Sequence, residues 1–173
     1  MKRLFVFVLF LSFTGCLIPT SNISLSAGVD LKQIKNIVVM DFKKGGEFPN
    51  SSDVIKRAFE ISLEKKGYKV MHYSKIKHLV DNENQGAGFS SDILTASLLR
   101  KFKKEADVDA VIVGSIMDAW CSPAWMPTCW IELTAQIIGT MSGDLILSAN
   151  ISDEGWSLQE AAQVTADKIL YKM

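Results

Sequence analysis

Apolar residues recur along the chain with different periods, and each period predicts a different element. Ile37 to Met40 (IVVM) is an unbroken apolar run, the pattern of a short strand buried on both faces. From Cys129 to Thr140, Ile131, Leu133, Ala135 and Ile137 alternate with Glu132, Thr134 and Gln136, which predicts an antiparallel strand with one wet face. Leu145, Leu147, Ala149 and Ile151 repeat that alternation after Met141-Ser142-Gly143-Asp144, residues suited to a turn. Residues 68–74 and 110–120 also read as strands. Helical spacing occurs at Val54, Ile55, Ala58, Phe59 and Leu63, with Ser51 or Ser52 as the cap and Gly67 past the end. Further helices are predicted from Ser74 to Asp81, from Ser91 to Glu105 and onward from Ser157, with a polar loop at 82–88.

The resulting order, β-α-β-α-α-β-β-β-α, defines the fold class as α/β (α+β): a mixed parallel and antiparallel five-stranded sheet packed by helices. Two right-handed crossovers place the first strand between the second and third, all parallel, and hairpins add the fourth and fifth antiparallel. This single domain occupies 34–173. Residues 17–33 are rich in Ser, Gly, Asn and Pro without a sustained period, so 16–33 reads as a tether with a maximum reach of roughly 60 Å.

Lys2 and Arg3 precede an apolar run from Leu4 to Leu11, then small residues and Cys16, the layout of an export signal over 1–15. The run is well short of the roughly 20 residues that a spanning helix needs. FTGC, residues 13–16, resembles the bacterial lipobox, with Phe13 in place of the usual Leu. The resemblance implies that Cys16 is acylated, with palmitate among the chains, and becomes the new N-terminus. Leu17 stands where an Asp would signal inner-membrane retention, so the implied address is the outer membrane, facing the periplasm. The alternative is an ordinary cleaved signal that leaves Cys16 as a free thiol.

Composition narrows the function classes. At 173 residues, 48% hydrophobic and 22% charged, the chain is one domain with enough apolar mass for a core, which excludes a disordered chain and a multidomain enzyme. Nineteen basic residues balance 19 acidic ones, so no basic field exists to hold nucleic acid. Loss of Lys2 and Arg3 with the signal makes the mature protein mildly acidic.

The chemistry of catalysis is sparse. His72 and His78, the two histidines, do not have zinc-ligand spacing, and the Gly-containing loops match neither a Walker loop nor G-x-G-x-x-G. Asp41, Asp107, Asp109 and Asp118 sit near strand ends without a partner base. Lys101, Lys103 and Lys104 read as the solvated end of a helix. No catalytic residue, metal ligand or cofactor is expected. The alternative is a periplasmic ligand-binding or hydrolytic domain, which requires the loops 43–50 and 82–90 to enclose a pocket with an acidic pair or His72.

One segment is sharper. In W-C-SPAWMPT-C-W, Trp120 and Trp130, and Cys121 and Cys129, are symmetric about Trp125, so the segment folds on itself as a hairpin. Directly opposed cysteines in an oxidising compartment close when their Cα atoms lie about 5.5 Å apart, so a Cys121–Cys129 disulfide is expected. The alternative is two reduced thiols or a register that separates them. Trp125 and Met126, between Pro123 and Pro127, form an exposed tip, and with Trp120 and Trp130 they make a candidate docking or membrane-contact site.

Three stretches carry a family resemblance: IVVMDF (37–42), DVDAVIVGSI (107–116) and IELTAQIIGTMSGDLILSANIS (131–152). Together they resemble the envelope lipoproteins related to the curli secretion lipoprotein, the penicillin-binding-protein activator lipoprotein, the Pel polysaccharide lipoprotein and the N-terminal domain of TolB. Ser142 replaces the usual Thr before Gly143. The short tether with one proline, Pro19, and the single domain are nearest in layout to the polysaccharide-export member, and no long hairpins for a pore are present. The resemblance implies a non-enzymatic docking or assembly component for secretion, polysaccharide export or cell-wall synthesis. Its implied partners are envelope proteins and further copies of itself in a ring.

Overall fold

A computed structural model of the chain describes residues 21–173 except 29, 46, 47, 49, 85–93, 124 and 127, with the backbone alone for 82–84. The signal segment, Cys16, Pro127, most of the loop 82–90 and the expected helix start at Ser91 lie outside the described residues. The strands are β1 (Ser21–Leu25), β2 (Asn36–Val39), β3 (Lys69–Met71), β4 (Ala110–Cys121), β5 (Cys129–Gly139) and β6 (Leu145–Gly155). They form one sheet in the order β1-β6-β5-β4-β2-β3. Strand β2 lies between β3 and β4, parallel to both, and β5 and β6 follow antiparallel, as the crossover argument requires.

The sheet has six strands, not five. The added strand, β1, lies inside the stretch read as a tether and pairs antiparallel with β6, from Ser21 opposite Ile151 to Leu25 opposite Leu147. Its side chains are mostly exposed and polar, so it joins the sheet through its backbone and carries little hydrophobic signal.

The α-helices are α1 (Ser51–Lys65), α2 (Lys77–Asn84), α3 (Ala96–Ala106) and α4 (Leu158–Leu170). Helices α1 and α4 cover one face: Ile55, Phe59, Leu63, Ala162 and Ile169 share a buried cluster with Ile37, Ile112, Ile131, Leu133 and Ile151. Helices α2 and α3 cover the other face, where Val80, Leu98 and Phe102 pack with Val38, Met40, Val111 and Val113. This second cover centres on β2 and the start of β4, with Met71 of β3 and Ile138 of β5 at its margins, which explains why Ile37 to Met40 are buried on both faces while most of β5 and β6 alternates.

Neither Ser51 nor Ser52 caps α1. Asn50 occupies the N-cap position with φ +64°, and the Ser52 hydroxyl instead accepts a hydrogen bond from the Phe42 backbone N–H at 3.1 Å. Ser157 does cap α4, accepting from Glu160 N–H at 3.2 Å. The turn before β6 forms as expected: Gly143 has φ +77°, and its N–H donates to Gly139 O at 2.9 Å.

Candidate functional site

Strands β4 and β5 pair along their whole length and run past the parallel part of the sheet as a projecting hairpin. Trp120 lies opposite Trp130 and Cys121 opposite Cys129, so the symmetric pairing expected from the sequence is present. A disulfide joins Cys121 and Cys129. Their Cα atoms are 3.9 Å apart, closer than the expected spacing. The Ser122 N–H donates to Thr128 O at 2.8 Å, which leaves the cysteines at the neighbouring non-hydrogen-bonded position, where opposed Cα atoms lie nearest.

A register shift between Ile116 and Asp118 decides which way Trp120 points. Before it, Ala110, Ile112 and Ile116 face the α1–α4 core; beyond it, Ala119 does, and Met117 is the extra residue. Without that bulge, Trp120 would fall on the core face. With it, Trp120 joins Trp130 on the open face and is 46% exposed. At the tip Trp125 is fully exposed and Met126 is 69% exposed.

Sequence reasoning missed a further member of this region. Trp156 follows Gly155, which pairs with Cys129, and it is 63% exposed. Its backbone N–H donates to the Glu160 carboxylate at 2.8 Å, fixing the backbone there at the start of α4. Gly155 permits this junction, because a Cβ there would lie 2.6 Å from the Ala161 nitrogen. Trp156 and Thr128 line one open hollow with Glu154, Gly155 and Glu160, so Trp156 sits beside the hairpin base. The signal available in the sequence was a Trp directly preceding the Ser-x-x-Glu capping pattern of the last helix.

The acidic residues singled out earlier have structural partners or stand apart. Asp41 pairs with Lys56 at 2.7 Å. Asp109 accepts from the Lys35 and Asn36 backbone N–H groups, each at 2.8 Å, and from Lys103 Nζ at 2.6 Å. Burial opposes ionisation of Asp109, but these hydrogen bonds outweigh it and hold the carboxyl below its ordinary pKa. Lys103, read from the sequence as part of a solvated helix end, bridges Asp107 and Asp109 instead, and those hydrogen bonds raise its pKa. Asp118 is exposed on the open face of β4. This Asp109 clamp borders an open hollow of about 510 Å³ with Asp30, Thr140 and Asp144, at the opposite end of the sheet from the tryptophans. His72 and His78 are exposed, and neither lines the hollow at either end. Among the described residues no three His, Cys, Asp or Glu side chains gather to hold a metal ion, and no helix is long and apolar enough to cross a membrane.

A mixed sheet with helices on both faces is a fold that this chain shares with solved bacterial proteins, a lipoprotein among them. The dodecamer of a PelC point variant from Paraburkholderia phytofirmans is similar over 88% of this chain and 96% of that one, at TM-score 0.64 and 14% identity. Lipoprotein GNA1162 from Neisseria meningitidis is similar over 79% of this chain and 99% of that one, at TM-score 0.56 and 15% identity. The LpoB C-terminal domain from Salmonella enterica aligns with 68% of this chain and 81% of its own, at TM-score 0.48 and 11% identity. The similarity to PelC and GNA1162 supports the resemblance read from the sequence at the level of fold. No family model matches the chain, and no curated protein matches it in sequence.

Proposed function

We propose that this protein is a non-enzymatic lipoprotein of the bacterial outer membrane, held facing the periplasm by acyl chains on Cys16. In this reading its sheet domain docks or assembles with envelope machinery for secretion, polysaccharide export or cell-wall synthesis. The observation that carries the reading is the end-to-end similarity of fold to PelC, whose crystal structure is a dodecamer, and to a lipoprotein of Neisseria. The export signal and the FTGC sequence support it independently. The polysaccharide-export branch is favoured within it, because the fold similarity to PelC covers 88% of this chain and 96% of that one.

Two measurements test the proposal. Palmitate labelling of the wild type should be abolished in Cys16→Ala, with release of the domain into the periplasm; label persisting in the variant overturns the anchor. Mass photometry of the detergent-extracted lipoprotein, with cross-linking in cells, should reveal a ring of copies or a stable envelope partner. A strict monomer that cross-links to no envelope protein overturns the assembly role.

A further inference from the structure

The chain contains four tryptophans, and all of them, Trp120, Trp125, Trp130 and Trp156, lie at one end of the sheet. None belongs to the buried core. Trp120 and Trp130 form one rung, Trp156 follows the next rung on β6, and Trp125 occupies the tip. Measured along the strands, the set spans about 13 Å at the usual rise per residue. Met126, 69% exposed, lies in the same band, next to Trp125 at the tip. Exposed aliphatic side chains at the other end, Leu25, Leu145 and Met141, come without any tryptophan. Aromatic rings with an apolar body and a polar N–H favour the boundary between hydrocarbon and headgroups, where both parts are satisfied.

The register of β1 ties this end to the anchor. Because β1 runs antiparallel to β6, its first residue, Ser21, points toward the tryptophan end. Cys16 precedes Ser21 by five residues, a reach of about 17 Å when fully extended. Ser21 lies opposite Ile151, and Gly155 is about 13 Å further along β6 toward the tip. In the other direction the turn before Leu145 is more than about 20 Å away, beyond what five residues can cover. The stretch read as a tether is shortened by the strand within it, so five residues of chain from Ser21 can reach the tryptophan end but not the turn before Leu145.

Charge selects the kind of surface. From Met117 to Leu133 and from Ile151 to Ser157 there is no Lys or Arg, while Asp118, Glu132, Asp153 and Glu154 are acidic. Asp153 is buried against Thr165 and Lys168, so the exposed charge on these two segments is negative, and Lys43 and Lys44 lie further from the tip, beside Ser115 to Met117 at the hairpin base. Such a surface gains nothing from anionic lipid, and its attraction to a bilayer is apolar and aromatic.

Accepting the acylation at Cys16 proposed above, we infer that the tryptophan end is a membrane-insertion element that seats in the same leaflet as the acyl chains. The domain stands end-on, with Trp125 and Met126 deepest, Trp120, Trp130 and Trp156 around the rim, and the Asp109 clamp facing away from the bilayer. The disulfide holds the hairpin closed behind the tip, so little chain entropy is lost on insertion.

The test uses the full acylated lipoprotein in vesicles whose lipids carry bromine on the acyl chains, with tryptophan fluorescence as the readout. Strong quenching is expected, and Trp125→Phe should remove the largest share of it, while Trp130→Phe removes little. Quenching should be equal in zwitterionic and partly anionic vesicles and unchanged in 0.5 M salt. A palmitate-labelled protein whose tryptophans stay unquenched by bromolipid and open to aqueous acrylamide overturns this inference and leaves the anchor standing. That outcome would assign the tip to a protein partner instead. Absence of palmitate label from the wild-type protein overturns the anchor itself, so the two failures are distinguishable. Thiol titration of each variant confirms that the disulfide, and with it the hairpin, is intact.

Discussion

Replacing Asp109 by asparagine removes one charge from a clamp that ties the start of β2 to the start of β4. The wild-type carboxylate receives three hydrogen bonds, from the backbone N–H groups of Lys35 and Asn36 and from Lys103. Asparagine can keep an oxygen toward the two amides, but its NH2 group meets the Lys103 ammonium without an acceptor. Charge-assisted hydrogen bonds are worth roughly 1.5–3 kcal/mol and neutral ones about 1, and Lys103 is partly solvated, so a loss of about 2 kcal/mol is expected at pH 7. In a domain of this size that lowers the melting temperature by about 4–8 °C. The pH dependence is the sharper test. Asp109 is held below its ordinary pKa, so its share of the stability is complete above the unfolded carboxylate range and is lost as pH falls through the folded value. Lys103, with its pKa raised, contributes below the ordinary lysine range and loses that share as pH climbs through the folded value. Urea unfolding of wild type and Asp109→Asn from pH 7 downward should show a gap that closes in acid with an unchanged denaturant slope. A gap of constant size down to pH 2, or no gap at pH 7, refutes the reasoning.

Two further substitutions probe the hairpin and its support. A Cβ at Gly114 would lie 2.2 Å from Thr134 O and 2.4 Å from the Phe42 ring, so Gly114→Ala should cost about 3 kcal/mol in urea unfolding; a change under about 0.5 kcal/mol would show that β4 and β5 separate freely there. Replacing Cys121 and Cys129 together by serine opens a loop of sequence separation 8, for which chain entropy sets an upper value of about 2.5 kcal/mol. The neighbouring rungs stay paired in that variant, so calorimetry should record a loss below this value with the sheet intact. A larger loss would mean that the bridge supports more of the fold than the hairpin tip.

The local periods were enough to place most of the sheet. Alternation from Ile131 to Ile137 and from Leu147 to Ile151 records one covered and one open face, and the apolar run Ile37 to Met40 records cover on both sides. The right-handed rule for parallel crossovers then set the order of those strands, and the symmetry of Trp120–Trp130 set the hairpin register. Three features lay beyond local pattern. Strand β1 is held through backbone pairing with a partner more than a hundred residues away, and its polar side chains leave no period to detect. The bulge at Met117 turns Trp120 from the core to the open face, a shift of one residue that no alternation in the sequence announces. Asp109 and Lys35, and likewise Trp156 and the hairpin, meet only when the chain closes on itself. Side-chain burial imprints its period on the residues that are buried; backbone pairing, bulges and long-range meetings at the ends of a sheet are settled by tertiary packing, which the sequence of any one segment does not contain.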